Sequence, residues 1–206
     1  MSLYGICKRG LDLLIAVPAI IILLPVFVVL TTVIRLTGGG PAFFKQERAG
    51  RAGKGFIFYK LRTMRTDVDP FGPSPKSGHD PRLTKVGRFL REYSLDELPQ
   101  LFNVLKGDMS VVGPRPLYLL QMPEWSERQK KRLLVRPGLT GLAQVSGRGE
   151  LTREEKLELD VKYVETAGIL TDIKIVLATI SLVFKRRSIY EKRYSKTEHT
   201  RGQDGE

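Results

Sequence analysis

The longest apolar run of this chain lies near its N-terminus. It extends from Leu13 to Ile34, carries no charge, and has Thr31 and Thr32 as its only polar side chains. As one straight helix rising ~1.5 Å per residue, the run would just cross a hydrocarbon core of ~30 Å. It is longer than the apolar region of a cleaved signal peptide, and no small-residue cleavage pattern follows it. We therefore expect a membrane helix that stays on the mature protein.

Basic residues flank this run on both sides. Lys8 and Arg9 precede it, and residues 35–65 contain one acidic residue, Glu47, among many lysines and arginines. Because positive residues collect on the cytoplasmic side of a membrane, both flanks favour the same side. Pro25 removes one helical hydrogen bond, bends the axis and divides the run into halves too short to cross alone. The run therefore has two interpretations: a re-entrant helix broken at Pro25, and a single kinked helix that spans the membrane.

Shorter apolar segments beyond the run predict a small amount of sheet. Residues 42–44 and 56–59 are apolar or aromatic and flank a basic, glycine-rich loop at residues 49–55, which predicts a β-hairpin. The loop does not end in Lys-Ser or Lys-Thr, so it does not fit a Walker A phosphate loop. Val111 and Val112 predict one further extended segment.

Much of the remaining chain shows helical spacing together with signals for helix ends. Ser94 and Glu97 have the spacing of a capping box, and Gly107 follows where a left-handed C-cap belongs. Thr152 and Glu155 have the spacing of a second capping box. The helices predicted in this way cover residues 83–91, 95–106, 124–135, 152–166 and 172–184.

The whole pattern predicts an α+β fold that is mostly helical. Residues 1–40 form the membrane segment, with helix, break and helix in the re-entrant interpretation. Residues 41–187 form a cytosolic domain with a small β-hairpin and amphipathic helices at the membrane interface. Within that domain, the proline-rich residues 67–81 predict a long loop. Residues 188–206 are polar and predict a disordered tail.

The composition adds a strong excess of positive charge. Lysine and arginine total 34 and aspartate and glutamate total 22, which gives a net charge of +12 at pH 7. This excess favours an anionic partner, whether nucleic acid, a membrane surface or a phosphorylated substrate. The single cysteine, Cys7, excludes an intrachain disulfide and a zinc site of several thiolates. With only two histidines, the chain favours chemistry based on carboxylates and basic side chains.

Asp96 and Glu97 are the strongest candidates for that chemistry. They fall in the predicted first turn of a helix, where free N–H groups favour negative charge, and ordinary helix capping also explains them. Two ionised neighbours can bind Mg²⁺ or allow one carboxylate to attack phosphorus. Several basic residues stand in or beside turns, where side chains are often fixed for a ligand: Lys60, Arg62, Arg88, Arg91, Arg115 and Arg136.

Five short motifs occur in a distinctive order. They are Lys-Leu-Arg-Thr-Met at 60–64, Ser-Leu-Asp-Glu-Leu-Pro-Gln at 94–100, Gly-Asp-Met-Ser at 107–110, Val-Gly-Pro-Arg-Pro at 112–116 and Arg-Pro-Gly-Leu-Thr-Gly at 136–141. Together they resemble the bacterial sugar transferase family, the monotopic phosphoglycosyl transferases. The resemblance covers the chain from Lys8 to about Phe184, and the length resembles that of small, catalytic-only members.

The resemblance implies transfer of a phosphosugar from a UDP-sugar to undecaprenyl phosphate, with release of UMP, at the cytoplasmic face of the bacterial inner membrane. It implies that Asp96 attacks the β-phosphorus and forms a covalent phosphosugar intermediate. It also implies Mg²⁺ as the cofactor, with Glu97 and Asp96 as metal ligands. The residues that it implies for substrate binding are Arg62, Arg91, Pro114, Arg115, Pro116, Arg136 and Asp172.

The same family has a re-entrant helix that breaks at a Ser-Pro pair and follows a Lys-Arg-x-x-Asp motif. Lys8, Arg9 and Asp12 match that motif, but Leu24 precedes Pro25 where serine is usual. The departure removes a hydroxyl that could bond a carbonyl freed at the break. The resemblance and the flanking charges together still favour the re-entrant interpretation.

A second functional hypothesis belongs to a different class: a non-catalytic, membrane-tethered basic module that binds anionic lipid or nucleic acid. It accounts for the net charge and the apolar run, but leaves Asp96, Glu97 and Arg115 without a role. Aromatic residues make up 8% of the chain, and the sequence has no signature of a nucleic-acid-binding fold. We therefore expect no nucleic-acid partner. Basic segments such as residues 185–187 are suited to anionic membrane lipid.

Overall fold

The computed structural model describes residues 3–69 and 74–185, and it begins with the long helix that the apolar run predicts. Helix α1, Leu3–Gly38, stays helical through both Pro18 and Pro25. A proline inside a helix removes one hydrogen bond and can bend the axis while the turns on either side remain helical. Pro25 therefore does not interrupt α1, and the re-entrant topology of residues 1–40 stays a prediction.

The surface of α1 divides into a broad exposed apolar face and a narrow buried stripe. Among the described residues, α1 is the one helix long and apolar enough to cross a membrane. The stripe packs on the rest of the protein and consists of Asp12, Ala16, Phe27 and Ile34. Apolar side chains exposed on the other faces include Leu14, Ile21, Ile22, Val28 and Val29. Exposed apolar surface on this scale is typical of a helix that contacts lipid.

The first two strands form the predicted β-hairpin. Strand β1, Phe43–Ala49, pairs antiparallel with β2, Gly55–Leu61, so that Phe43 lies opposite Leu61. Both strands are longer than the apolar residues alone predict, because polar residues, among them the buried Gln46, continue the ladder. The tight turn between them has positive φ at Ala52 (55°) and Gly53 (73°).

Two short helices follow the hairpin, and between them the chain departs from the prediction. Helix α2 is Lys85–Glu92 and α3 is Gln100–Lys106, with a single 3-10 turn, Leu95–Glu97, before α3. The predicted capping box at Ser94 is wrong, since Ser94 has a left-handed backbone (φ 55°) and caps no N–H. A capping serine needs extended backbone angles. The predicted left-handed C-cap at Gly107 is confirmed by its φ of 91°.

A second, two-stranded sheet lies beyond α3. Strand β3, Ser110–Val112, contains the predicted extended segment and pairs in parallel with β4, Gly138–Thr140. The sequence pattern did not predict β4. The two strands come so close that a Cβ on Gly138 would collide with the backbone of Gly113. Glycine therefore serves close approach here rather than a turn.

The predicted helix over residues 124–135 is wrong, because this region folds as three short pieces. A 3-10 segment, Leu119–Glu124, is followed by α4, Glu127–Lys130, and by a 3-10 turn, Lys131–Leu134. Ser126 forms its own capping box with Gln129, so the α-helix can begin only at Glu127. Helix α5, Leu142–Ser146, follows β4.

The last two helices agree with the sequence pattern. The capping box of Thr152 and Glu155 is present and opens α6, Arg153–Glu165. Helix α7, Ile169–Lys185, begins three residues before Asp172, which lies in its first turn. The predicted disordered tail, residues 188–206, lies outside the described residues, as do Arg186 and Arg187.

Helix α1 rests on the remaining domain near both of its ends. Toward its N-terminus, the carboxylate of Asp12 accepts hydrogen bonds from the Ser110 hydroxyl (2.8 Å) and the Val111 N–H (2.9 Å). Toward its C-terminus, Ile34 joins a buried cluster with Leu61 and Leu90. The domain is therefore attached to both halves of the apolar helix.

Candidate active site

Asp96 and Glu97 lie on the 3-10 turn that connects α2 to α3. Both are buried, with 4% and 9% of their surface exposed. The turn follows Ser94, whose left-handed backbone is uncommon for a residue with a side chain. Strain of this kind costs of the order of 1–3 kcal/mol and is concentrated at functional sites. The local backbone thus holds two adjacent acidic side chains in the interior rather than at a solvent-exposed helix end.

Two cations pair with these carboxylates. Lys60, on β2, places its Nζ 3.1 Å from Asp96 Oδ2 and 3.1 Å from Glu97 Oε1, and so bridges the two residues. Arg115 places its Nη2 2.7 Å from Glu97 Oε1 and its Nη1 3.4 Å from Oε2. Charged hydrogen bonds of this type are stronger than neutral ones and fix the orientation of the acid. The hairpin and the Pro-Arg-Pro segment therefore meet at the Asp96-Glu97 turn.

The charges around Glu97 keep it ionised. Burial alone would raise the pKa of its carboxyl, but Arg115, Lys60 and, at longer range, Arg148 hold that pKa well below its usual range. Three positive side chains thus act on the two acids. Because the cations outnumber the carboxylates, the site has positive charge left over for an anionic ligand such as a diphosphate.

Sequence reasoning missed Arg148 as a site residue and left Lys60 among the unassigned basic residues. Arg148 has a left-handed backbone (φ 48°), and its Nη2 donates to the Ser94 hydroxyl at 3.2 Å. Two residues with left-handed backbones are thereby joined beside the two acids. The available sequence signal was its position between Gly147 and Gly149, since glycines often flank a residue held in an unusual conformation.

Of the predicted substrate-binding residues, Arg115 reaches Glu97, and Pro114 and Pro116 flank it. Three other predicted arginines bond elsewhere. Arg62 donates to the Ile34 carbonyl in α1 at 3.3 Å, and Arg91 donates to the Thr63 hydroxyl at 2.9 Å. Arg136 donates to the Gly107 carbonyl at 2.8 Å. These hydrogen bonds connect elements of the fold, and a substrate-binding role for the three arginines stays a prediction.

Asp172, also predicted to bind substrate, lies at the base of α1. Its Oδ2 accepts from Lys8 Nζ at 2.7 Å and from the Tyr4 hydroxyl at 3.0 Å, and its Oδ1 accepts from the Tyr163 hydroxyl at 2.7 Å. Burial and the charge of Asp172 raise the pKa of Tyr163, so this phenol stays a neutral donor. Asp172 therefore joins α7, α6 and the first turns of α1.

The Lys-Arg-x-x-Asp motif has a clear structural use in the same region. Lys8 binds Asp172 and Asp12 binds β3, as described above. Between them, Arg9 donates from Nη1 to the Val104 carbonyl at 2.6 Å and from Nη2 to the Leu105 carbonyl at 2.9 Å, at the end of α3. A cation at a helix C-terminus satisfies free carbonyls and interacts favourably with the helix dipole. All three residues of the motif attach α1 to the domain.

The donor set is compatible with Mg²⁺ but does not enclose it. Among the described residues, no group of three or more His, Cys, Asp or Glu side chains could hold a metal ion. Mg²⁺ at phosphate-processing sites usually takes one or two carboxylates and completes its octahedral shell with phosphate oxygens and water. Asp96 and Glu97 are two adjacent carboxylates that could serve such a site, and Mg²⁺ binding by them stays a prediction.

The family model for bacterial sugar transferases matches residues 3–186, which is most of the chain. An uncharacterized sugar transferase, EpsL of Bacillus subtilis, is 42% identical over 197 residues, and the alignment covers 96% of each chain. Both the family match and the alignment with EpsL therefore extend well beyond the residues of the site.

Two further relatives have more specific names. The galactosyl transferase CpsE of Streptococcus agalactiae is 44% identical over 190 residues, covering 86% of this chain and 42% of that protein. The UDP-glucose:undecaprenyl-phosphate glucose-1-phosphate transferase of Caulobacter vibrioides is 41% identical over 196 residues, covering 89% of this chain and 72% of that protein. The chain thus spans less than half of CpsE and nearly three quarters of the Caulobacter protein.

Proposed function

Because the chain belongs to the bacterial sugar transferase family, we propose that it transfers a phosphosugar from a UDP-sugar to undecaprenyl phosphate, with Asp96 as the nucleophile. The chain is a phosphoglycosyl transferase, and the name of its Caulobacter relative describes an enzyme of the same class. The observation that carries the finer proposal is the pair Asp96 and Glu97, buried side by side and bonded to Lys60 and Arg115.

In the first step, an oxygen of the Asp96 carboxylate attacks the β-phosphorus of the UDP-sugar. The new O–P bond forms as the bond from that phosphorus to the bridging oxygen breaks, and UMP leaves with the electron pair. The attacking carboxylate is held by Lys60, whose Nζ lies 3.1 Å from Asp96 Oδ2. The same cations that hold the acids reduce their repulsion of the diphosphate.

In the second step, a phosphate oxygen of undecaprenyl phosphate attacks the phosphorus held on Asp96. The O–P bond to Asp96 breaks, the carboxylate is restored, and undecaprenyl-diphosphate-sugar is formed. Covalent catalysis divides the exchange between a soluble and a membrane-bound substrate into two simpler displacements. The exposed apolar face of α1 supports a position at the membrane, where the lipid substrate is found.

We assign Mg²⁺ to Glu97 and Asp96 in this proposal. When bound, the ion would neutralise charge on the diphosphate. The two carboxylates would hold it together with phosphate oxygens, which agrees with the incomplete protein donor set. Arg115 and Lys60 would fix Glu97 while it serves as a ligand.

The contacts of α1 support the re-entrant topology. Asp12 and Ile34 lie near opposite ends of the apolar run, and both are buried against the same domain. A straight helix that spans the bilayer would carry these two residues to opposite sides of the membrane. We therefore propose that both ends of α1 return to the cytoplasmic face of the bacterial inner membrane.

Cysteine labelling tests this topology. In a Cys7→Ser background, which removes the single native cysteine, we expect cysteines introduced at Ser2 and at Lys54 to react with an impermeant maleimide only in inverted vesicles. Intact cells with a permeable outer membrane serve as the opposite arm. Labelling of the two positions from opposite sides would establish a spanning helix instead.

The non-catalytic alternative is not supported by the comparisons. A basic module that only binds lipid or nucleic acid gives no role to the two buried acids or to their cations. A membrane-surface function remains part of the enzyme proposal, because the lipid substrate itself is anionic.

The decisive experiment measures UMP release and protein mass together. We expect purified protein with Mg²⁺, undecaprenyl phosphate and a panel of UDP-sugars, including UDP-glucose and UDP-galactose, to release UMP from at least one of them. Without the lipid, intact-mass spectrometry should show an adduct with the mass of one phosphosugar. Asp96→Asn should lose both signals, with turnover reduced at least about a thousandfold.

A matched control is available in Asp67→Asn, which removes an exposed aspartate paired with Arg65. This variant should retain wild-type turnover and form the adduct. An Asp96→Asn protein that stays folded and releases UMP at the wild-type rate would exclude Asp96 as the nucleophile. Activity with an adduct on another residue would move the chemistry away from this aspartate.

A further inference from the structure

The segment that carries Arg115 has few ways to be held in place. Pro114 and Pro116 have no N–H to donate, so a regular backbone ladder cannot run through them. Two of its carbonyl oxygens accept hydrogen bonds from other parts of the domain. That of Pro114 accepts from the Gly138 N–H on β4 at 2.8 Å. That of Arg115 accepts a short hydrogen bond from the guanidinium of Arg132.

Arg132 is itself rigidly fixed. Its Nη2 lies 2.7 Å and its Nε 3.2 Å from Oδ2 of Asp160, which lies on α6. The side chains of the two partners are 2% and 4% exposed. The guanidinium also stacks on the ring of Trp125, 4.8 Å from its centroid. A planar guanidinium held on one face and along one edge has little freedom to rotate.

A buried ion pair is a weak source of stability, because removing two charges from water costs about as much as their attraction returns. The contact from Arg132 to the Arg115 carbonyl is therefore the more informative feature. It connects α6, through two buried charged side chains, to the residue whose guanidinium binds Glu97 at 2.7 Å. In the described part of the chain, no hydrogen bond or ion pair joins Arg132 or Asp160 to Asp96 or Glu97.

We propose that Arg132 and Asp160 are positioning residues that hold the Arg115 backbone so that its guanidinium meets Glu97. This inference rests on the proposed function only in giving Arg115 and Glu97 a part in the reaction. Arg115 has to keep one position while the charge beside it changes during both displacements. Its own side chain is about one third exposed, and the hydrogen bond from Arg132 adds support at its backbone.

Two substitutions of Arg132 separate charge from geometry. Arg132→Lys keeps a positive charge for Asp160, but one ammonium lacks the planar fork that serves a carboxylate and a carbonyl together. Arg132→Gln removes the charge. We expect both variants to lower kcat/KM for UMP release at least about tenfold, as is usual when a residue that orients a site ligand is replaced. A role in charge balance alone predicts that Arg132→Lys is nearly wild type.

A double-mutant cycle distinguishes positioning from general destabilisation. We expect Arg115→Ala to lower kcat/KM about a hundredfold or more. If Arg132 acts through Arg115, adding Arg132→Gln to Arg115→Ala should cause little further loss. Losses that multiply in the double variant would overturn the proposal, because they would show that Arg132 acts independently of Arg115.

Arg128→Gln is the matched control. Arg128 lies on α4, four residues before Arg132, and likewise pairs with α6, through Glu158 at 3.0 Å and Glu165 at 3.3 Å. It is exposed, and its ion pairs join it to α6 rather than to Arg115. We expect its kcat/KM to stay within about twofold of wild type. A loss as large as that of Arg132→Gln would mean that any weakening between α4 and α6 impairs the enzyme, which contradicts the proposal.

Hydrogen exchange supplies a readout that does not depend on activity. We expect Arg132→Gln and Asp160→Asn to speed amide exchange in the peptide covering residues 113–118 and to leave exchange in α3 unchanged. Asp160→Asn also serves if Arg132→Gln fails to fold. Unchanged exchange at 113–118 in the folded variants would overturn the positioning role. If wild type releases no UMP from any UDP-sugar, the proposed function fails, and exchange still decides the inference.

Discussion

Buried acids occur at two places in this protein that differ in the side chains paired with them. At the candidate active site, Asp96 and Glu97 are bonded to the cations Lys60 and Arg115. At the base of α1, Asp172 also binds a cation, Lys8, but accepts two further hydrogen bonds from tyrosine hydroxyls. Asp96 and Glu97 are adjacent in sequence and lie on one turn, whereas Asp172, on α7, draws its partners from two other helices, α1 and α6.

The difference shows how the partners of a buried acid affect what else it can bind. Neutral hydroxyl donors satisfy a carboxylate without adding charge, so the group at Asp172 is nearly neutral and offers little to another ion. At the active site the cations exceed the acids, and Arg115 is partly exposed. Such a group can exchange one of its pairings for the phosphates of a ligand. Charge balance and access, rather than the presence of a buried aspartate, distinguish the two places.

After Asp96→Asn, the largest effect should follow from Glu97→Gln. The amide retains the size of the side chain but loses the charge that pairs with Arg115 and Lys60 and that would hold Mg²⁺. We expect UMP release to fall at least about a hundredfold, with a higher Mg²⁺ concentration needed for half-maximal rate. Titration of activity with Mg²⁺ checks this. A variant with the wild-type rate and Mg²⁺ dependence would place Glu97 in the structural class with Asp172.

A smaller effect concerns pH. Arg115 helps to hold the pKa of Glu97 below its usual range, so Glu97 stabilises the fold above the pKa that it has in the unfolded chain. This contribution disappears as pH falls through the lowered, folded-state pKa. In Arg115→Ala the folded-state pKa should rise, and less stabilisation should be present at neutral pH. Melting temperatures measured in detergent with EDTA, from pH 7 downward, should show a weaker pH dependence for Arg115→Ala than for wild type.

The smallest effect on chemistry should come from Asp172→Asn. This change removes the charge facing Lys8 and weakens the hydrogen bonds that Asp172 accepts from three side chains. We expect the free energy of unfolding to fall by about 1–3 kcal/mol. Once folded, the variant should keep turnover within about threefold of wild type, because the hydrogen bonds of Asp172 go to Lys8, Tyr4 and Tyr163 and not to the candidate active site. Thermal melts beside UMP release at a permissive temperature check both parts. Loss of turnover without loss of stability would instead support the substrate-binding role that the resemblance implies.

Local patterns in the sequence were enough to predict several parts of the fold. The uncharged run from Leu13 to Ile34 predicts a helix with an exposed apolar face, because no charged side chain there requires water. The hairpin and the helix opened by Thr152 and Glu155 depend on neighbouring residues, so their sequence signals are complete. The capping box predicted at Ser94 is wrong because the prediction used residue spacing alone, whereas the backbone angles of Ser94 depend on tertiary contacts.

The candidate site divides in the same way. The adjacent pair Asp96 and Glu97 and the Pro-Arg-Pro motif were apparent in the sequence, since each is a short segment with unusual composition. Which cations meet them was decided only by the tertiary structure. Lys60 lies 36 residues from Asp96 along the chain, and Arg148 lies 54 residues from Ser94.

Arg132 and Asp160 gave no sequence signal, because a charged residue in a charged segment is usually solvated, and only the packing of α6 made this pair buried. The sequence by itself thus determined a membrane helix, a small hairpin and two acids that could do chemistry. Tertiary structure decided which charges surround those acids and which donors surround Asp172, because long-range pairing depends on how distant elements pack.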